Sequence, residues 1–178
     1  MRRAALRAGL AGLGLVWWAP AVRAQEFVPP EQAQAQEAMR FGLFGFGARV
    51  GWDFAGGNQA IVSVALDAGD VWTQRLRFRP SFEIGLGDTA TTYVGNVELL
   101  YRFTPDTEVA VPYAGVGGAI WGQQFCNRIA SCPGVWFQVV LGFELQLRDQ
   151  VNWMLEYHGE DALRRHRFFL GLTTRRGS

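Results

Sequence analysis

The stretch Tyr157-His158-Gly159-Glu160-Asp161 carries the chain's clearest proton-transfer groups, with Glu156 on the same strand face as His158. A histidine among carboxylates suits general acid–base work or the activation of a nucleophile. Beyond the first 24 residues the serines are Ser63, Ser81, Ser131 and Ser178, and none has a base beside it in sequence. Catalysis would therefore need the fold to bring a serine to His158. The simpler expectation is that His158 and Glu160 are rim residues with no chemical task. Cys126 and Cys132, in CNRIASC, lack the further ligands a metal site would need. In an exported chain their spacing predicts a disulfide closing a loop. No phosphate-binding glycine loop or zinc motif is present, so no cofactor is expected.

The third cluster is a ladder. RLRFRPSFEIGLG sets Arg75, Arg77 and Arg79 at alternate positions, with Leu76, Phe78, Pro80 and Phe82 between and beyond them. A two-residue period is a strand with one cationic face. Such a face persists in a buried place only if carboxylates meet it.

The elements that must supply those carboxylates recur eight times. Segments 41–54, 60–68, 71–87, 92–103, 111–121, 135–147, 151–158 and 165–174 each alternate apolar with polar or small residues. The polar faces bring Arg49, Asp53, Asp67, Arg75, Arg77, Arg79, Glu83, Glu98, Arg102, Glu144, Glu156 and Arg167. The fifth segment is glycine-rich and its phase is weak; Tyr113 and Trp121 suggest that its odd positions are apolar. Pro80 removes a ladder donor in mid-strand and predicts a bulge there. Connections alternate between short turns (Gly69-Asp70, 104–110, 148–150) and generally longer loops (55–59, 88–91, 122–134, 159–164). The expected fold is all-β: an eight-stranded antiparallel up-and-down barrel over 41–174.

Alternation alone does not say which face is the inside. A lipocalin-like barrel would turn the apolar face inward. Here the charged face is also the small one, with glycines at 45, 47, 51, 85, 142 and 171, as the narrow interior of eight strands demands. Aromatic residues gather near strand ends in two girdles: Trp72, Tyr101, Phe103, Tyr113 and Trp153 at the short turns, and Trp52, Tyr93, Trp121 and Tyr157 at the longer loops. Most strands are long enough to cross a bilayer at a tilt. These features predict a transmembrane barrel with a filled polar lumen. Counting registers from the turns sets Asp67 near Arg75 and Arg49, Glu98 near Arg79, and Glu156 opposite Arg167. The ladder is then a satisfied interior, or alternatively an ion-selective filter.

The ends agree with export. MRRAALRAGLAGLGLVWWAPAVRA has the basic start, short apolar run and small-residue cleavage site of a signal peptide spanning 1–24. Residues 25–40 read as a flexible polar leader and 175–178 as a tail. Four of the 17 arginines leave with the signal and all 16 acids remain, for a mature net charge of 13 minus 16, or −3. No basic footprint for nucleic acid exists.

RLRFRPSFEIGLGD, VELLYRF and VPYAGVGGAIWG resemble the eight-stranded outer-membrane barrels of Gram-negative bacteria, of the opacity-protein and outer-membrane-protein-A type. The resemblance covers about 41–174. It implies an outer-membrane location, a periplasmic N-terminus, short periplasmic turns and surface-exposed longer loops. It also implies membrane lipids, lipopolysaccharide and the barrel-assembly machinery as partners, a monomeric state, and a structural or surface-interaction role without catalysis. The chain departs from this class in ending LTTRRGS rather than on an aromatic residue. Some small outer-membrane barrels are enzymes, such as lipid A deacylases, whose pattern places a serine two residues after the histidine. Glu160 holds that position here. A lipid-modifying enzyme and a narrow ion-conducting pore are the alternatives.

Overall fold

The polar–apolar alternation becomes an unbroken series of strands in the computed structural model, which describes residues 39–54, 58–88, 90–124, 126 and 132–176. The expected signal peptide and nearly all of the leader lie outside the described residues. The strands are β1 Met39–Asp53, β2 Gln59–Val71, β3 Thr73–Leu86, β4 Thr91–Arg102, β5 Ala110–Gln123, β6 Gly134–Arg148, β7 Val151–Glu160 and β8 Arg165–Thr174. Each pairs antiparallel with the next, and β8 returns to β1 from Gly47↔Thr173 to Asp53↔Arg167, closing the barrel. Closure leaves no open sheet edge.

The barrel is inside-out relative to a water-soluble one. Phe46, Val62, Val64, Val97, Leu141 and Leu170 are exposed, whereas Arg49, Asp53, Glu83, Glu98 and Glu156 are buried. The apolar exceptions on the inward face, Ile61, Leu100, Val140, Met154 and Phe169, are buried among these charges. They fill space that charged side chains alone would leave ragged.

Several boundaries and phases differ from expectation. Met39 and Arg40 belong to β1 and pair with Val71 and Asp70, so the leader ends earlier than residue 40. Gly69 and Asp70 are still strand; Trp72, at φ 61°, alone links β2 to β3. Gly69 itself sits at φ 124° with its Cα against the Arg40 carbonyl, a conformation and a contact that only glycine fits.

β5 runs in the opposite phase to that expected. Val111, Tyr113 and Ala119 are buried, while Val116 and Ile120 are exposed. Glycine and alanine make up much of both faces of this strand, so its periodicity held no usable signal. Tyr113 goes inside because its ring fills the space opposite Gly142, where a Cβ would lie 2.7 Å from the ring. The bulge expected at Pro80 is on the neighbouring strand. β3–β4 register runs unbroken through Pro80↔Val97, but β2–β3 shifts between Ala65↔Ser81 and Gly69↔Phe78, which places one extra β2 residue opposite Arg79 and Pro80. A nitrogen without a proton thus faces the part of the ladder that is already interrupted.

Candidate functional site: an ion-paired lumen

The lumen is built in three tiers by inward positions of all eight strands. In the middle tier Arg49 of β1 binds the Glu156 carboxylate of β7 and lies 3.4 Å from Glu83 and 3.7 Å from Glu98. Its other donors reach Ser63 and Ser81, each at 2.9 Å. Arg79 of β3 bridges Glu98 at 2.7 Å and Glu156 at 2.5 Å. The Tyr113 hydroxyl donates to Glu156, and Gln138 donates to Glu98 at 2.9 Å. Asn96 donates to Glu83 at 2.8 Å. Planar guanidinium forks reach several carboxylates at once, which a lysine ammonium could not do with the same geometry.

Towards the longer connections, Arg167 lies 2.8 Å from Glu83, 3.1 Å from Glu160 and 3.3 Å from Asp53. Arg165 stands 3.5 Å from Asp53 and covers the Trp136 ring at 4.5 Å. Trp136 stacks on Trp121 with centroids 4.9 Å apart. Towards the short turns, Arg102 joins Glu144 at 2.5 Å and also binds Asp106. Arg77 lies 3.1 Å from Asp67 and 2.6 Å from Asp106. Arg176, just past β8, binds Asp67 and Asp70 across this mouth and lies over the Phe44 ring at 4.4 Å. Burial lowers the Arg176 pKa, but hydrogen bonding and charge from Asp67 and Asp70 outweigh it and hold the guanidinium above its ordinary value.

The interior is closed by these contacts. The space among Arg77, Arg79, Arg102, Glu144 and Met154 amounts to about 10 Å³, the scale of one water probe. Most of the charges are met by partners within the barrel, which is the condition for their burial, although Glu160 Oε2 is buried without a hydrogen-bond partner among the described residues.

The tertiary arrangement sorts the expected site residues. Arg49, Asp53, Asp67, Arg77, Arg79, Glu83, Glu98, Arg102, Glu144, Glu156 and Arg167 are all buried in the lumen. Arg75 is not: it is exposed near the β2–β3 turn, and Asp67 pairs with Arg77 and Arg176 instead of Arg75 or Arg49. The bulged β2 advances Asp67 relative to the register counted from the turn. Glu98 meets Arg79 as expected, but Glu156 meets Arg49 and Arg79 rather than Arg167. A lumen this narrow lets long side chains reach across to distant strands, which neighbour-strand counting omits.

Trp52, Trp72, Tyr93, Tyr101 and Phe103 are exposed on the outer face, and Trp153 and Tyr157 are half-buried there. Tyr113 and Trp121 leave the girdle, the first for the lumen and the second for the mouth. His158 is not a rim residue. It is fully buried, with Nε2 3.1 Å from Glu156 and its ring 4.8 Å from Phe169. Glu160, Asp106, Asp70 and Arg176 are further members of the network that sequence reasoning missed. Strand parity from Asn152 through Glu156 would have found His158 and Glu160; nothing local marks Asp106 or Arg176. Cys126 and Cys132 are bonded to each other, with Cα atoms 4.9 Å apart.

Fold and lumen together define a closed eight-stranded antiparallel barrel with a charged, plugged interior and an apolar exterior. No family model matches the sequence, and no curated protein does. Among solved structures, the chain is similar to the N-terminal β-barrel domain of Pseudomonas aeruginosa OprF, at 13% identity and TM-score 0.55, covering 75% of this chain and 98% of that one. It is also similar to a de novo designed transmembrane β-barrel, at 13% identity and TM-score 0.53, covering 76% of this chain and 97% of the other. At such identity the likeness is one of fold.

Proposed function

We propose that this protein is an integral outer-membrane barrel with a structural or surface-interaction role in the Gram-negative envelope, without catalytic activity. The observation that carries the reading is the inversion of polarity: an ion-paired lumen bridged at its middle by arginines and carboxylates, wrapped in an exposed apolar band with aromatic residues near its ends. In water such an exterior would aggregate; in hydrocarbon it is the favoured surface, and closure satisfies every ladder. The plugged middle tier disfavours steady ion conduction. Among the described residues, burial of His158, and of Ser63 and Ser81 as partners of Arg49, leaves no serine–histidine pair open to a lipid substrate. The signal peptide, a periplasmic N-terminus with short periplasmic turns, lipopolysaccharide contact, the assembly machinery and the monomeric state all belong to this reading.

The test is fractionation of expressing cells with gel mobility before and after boiling, and a lipid A profile by mass spectrometry. The expected result is outer-membrane recovery, a heat-dependent shift in mobility and an unchanged lipid A profile. Recovery in the soluble periplasm would overturn the membrane assignment, and a new lipid A species dependent on expression would overturn the non-catalytic role.

A further inference from the structure

Side chains on the outer wall across β6, β7 and β8 do not form an even surface. Tyr157 leans toward the β7–β8 turn, its ring 5.2 Å from Phe168 and stacked at 5.9 Å on His166. Phe143 leans the other way, onto Trp153 at 5.7 Å. The divergence opens a groove of about 320 Å³ with apolar walls of Leu141, Phe143, Leu155, Tyr157 and Phe168, and Gly142 with the lumenal Tyr113 and Glu156 complete its lining.

Beyond the Tyr157 end of this groove, toward the β7–β8 turn, stand polar and cationic groups. The Tyr157 hydroxyl and His166 Nδ1 share a 2.7 Å hydrogen bond. With the hydroxyl as donor, a neutral ring keeps its proton on Nε2, free to donate. Arg164 is exposed, and its guanidinium has no ion pair among the described residues. The turn itself is unusual: Asp161, Ala162 and Leu163 all adopt left-handed φ, at 48°, 56° and 65°. The bend folds Leu163 back over Gly159 on the outer wall, where a Cβ would lie 2.4 Å from Leu163. A strained turn that sets an exposed leucine on the barrel wall beside an arginine has the makings of an interfacial anchor. From the Leu155↔Leu170 pair to the last pair, Glu160↔Arg165, is five residues, about 17 Å along the strand; at a tilt of about 45° that is about 12 Å along the membrane normal against a half-thickness of about 15 Å, and Arg164 lies one residue further out.

We propose that this face is a binding site for a phosphate-bearing membrane lipid: one acyl chain lies in the groove between Phe143 and Tyr157, and the anionic headgroup is held by Arg164 and His166. The inference rests on the membrane-barrel reading. An acyl chain fits between the apolar walls, and a phosphodiester accepts hydrogen bonds from a fork and an imidazole toward the membrane surface. Asp161 shares the turn, so recognition depends on the placed donors and not on a large excess of charge.

The full chain is reconstituted in phosphatidylcholine vesicles in which either phosphatidylglycerol or an equal fraction of the phosphatidylcholine carries brominated chains, and tryptophan quenching is read, with Trp153 beside the groove as reporter. The expected result is local enrichment of phosphatidylglycerol by roughly fivefold, which corresponds to about 1 kcal/mol in total, as for the single cationic contact of Arg164. The double variant Arg164→Gln/His166→Gln, checked for native gel mobility, should bring the two lipids to parity. Equal quenching in the parent, or a preference that survives the double variant, would overturn the site. So would a cross-linked pair of chains that shields Trp153 from both lipids, since the occupant would then be a second copy. Failure of the chain to insert into any vesicle would instead sink the membrane reading beneath it.

Discussion

Arg79 and Arg75 belong to one ladder in sequence and to two environments in space. Arg79 binds two buried carboxylates, so Arg79→Leu leaves Glu98 and Glu156 to share Arg49 as their one remaining guanidinium. Loss of one partner of a buried pair costs about 3–5 kcal/mol. Arg75→Leu, at an exposed position, should change stability by no more than about 0.5 kcal/mol. Urea unfolding in detergent micelles measures both, and equal effects would contradict the tiered lumen. Tyr113 offers a finer probe. Tyr113→Phe keeps the ring against Gly142 and removes only the donor to Glu156, and a hydrogen bond to a charged group is worth about 1.5–3 kcal/mol. If Tyr113 faced lipid, as its place in the sequence pattern suggested, the same change would be neutral or stabilising.

Single strands carry two further expectations. Val64, near the centre of β2, faces outward and is exposed. Val64→Arg should destabilise the barrel by about 2–4 kcal/mol in lipid bilayers, because the charge then sits in hydrocarbon. A soluble barrel would accept the arginine without loss, so the unfolding free energy in liposomes discriminates directly. The β5–β6 connection carries the Cys126–Cys132 bond outside the strand ladders. Closing so short a ring contributes roughly 2–3 kcal/mol at most. Reduction should loosen the connection while the barrel keeps its mobility on unboiled gels, and alkylation of the untreated protein should find no free thiol. Two labelled cysteines before reduction would refute the pairing.

For the whole molecule, the consequence of the tiers is electrical. The lumen is bridged at its middle by Arg49, Arg79 and Arg167, each joined to carboxylates on two or more strands. Planar bilayers containing the reconstituted protein should show no steady conductance above the bare membrane, and a stable open level would contradict the closed interior. Barrel number, strand order and the inward charged face could all be read from the sequence, because a strand's two-residue period is local and survives in each segment alone. The boundaries of β4, β6 and β8 lie within a residue of expectation for the same reason. What was not legible has two causes. β5 is so rich in glycine and alanine that its phase depends on Tyr113 finding Glu156 and the gap at Gly142, both on other strands. The pairings depend on bulges in β1 and β2, and on arginines long enough to cross the barrel to strands that are not neighbours. Sequence by itself therefore determined that arginines and carboxylates share an inward face, since burying either alone is too costly. Only the closed tertiary structure decided which arginine meets which carboxylate, that Arg75 is left exposed while Arg77 and Arg79 are buried, and that Tyr113 turns into the lumen, because those distances exist only once β8 has met β1.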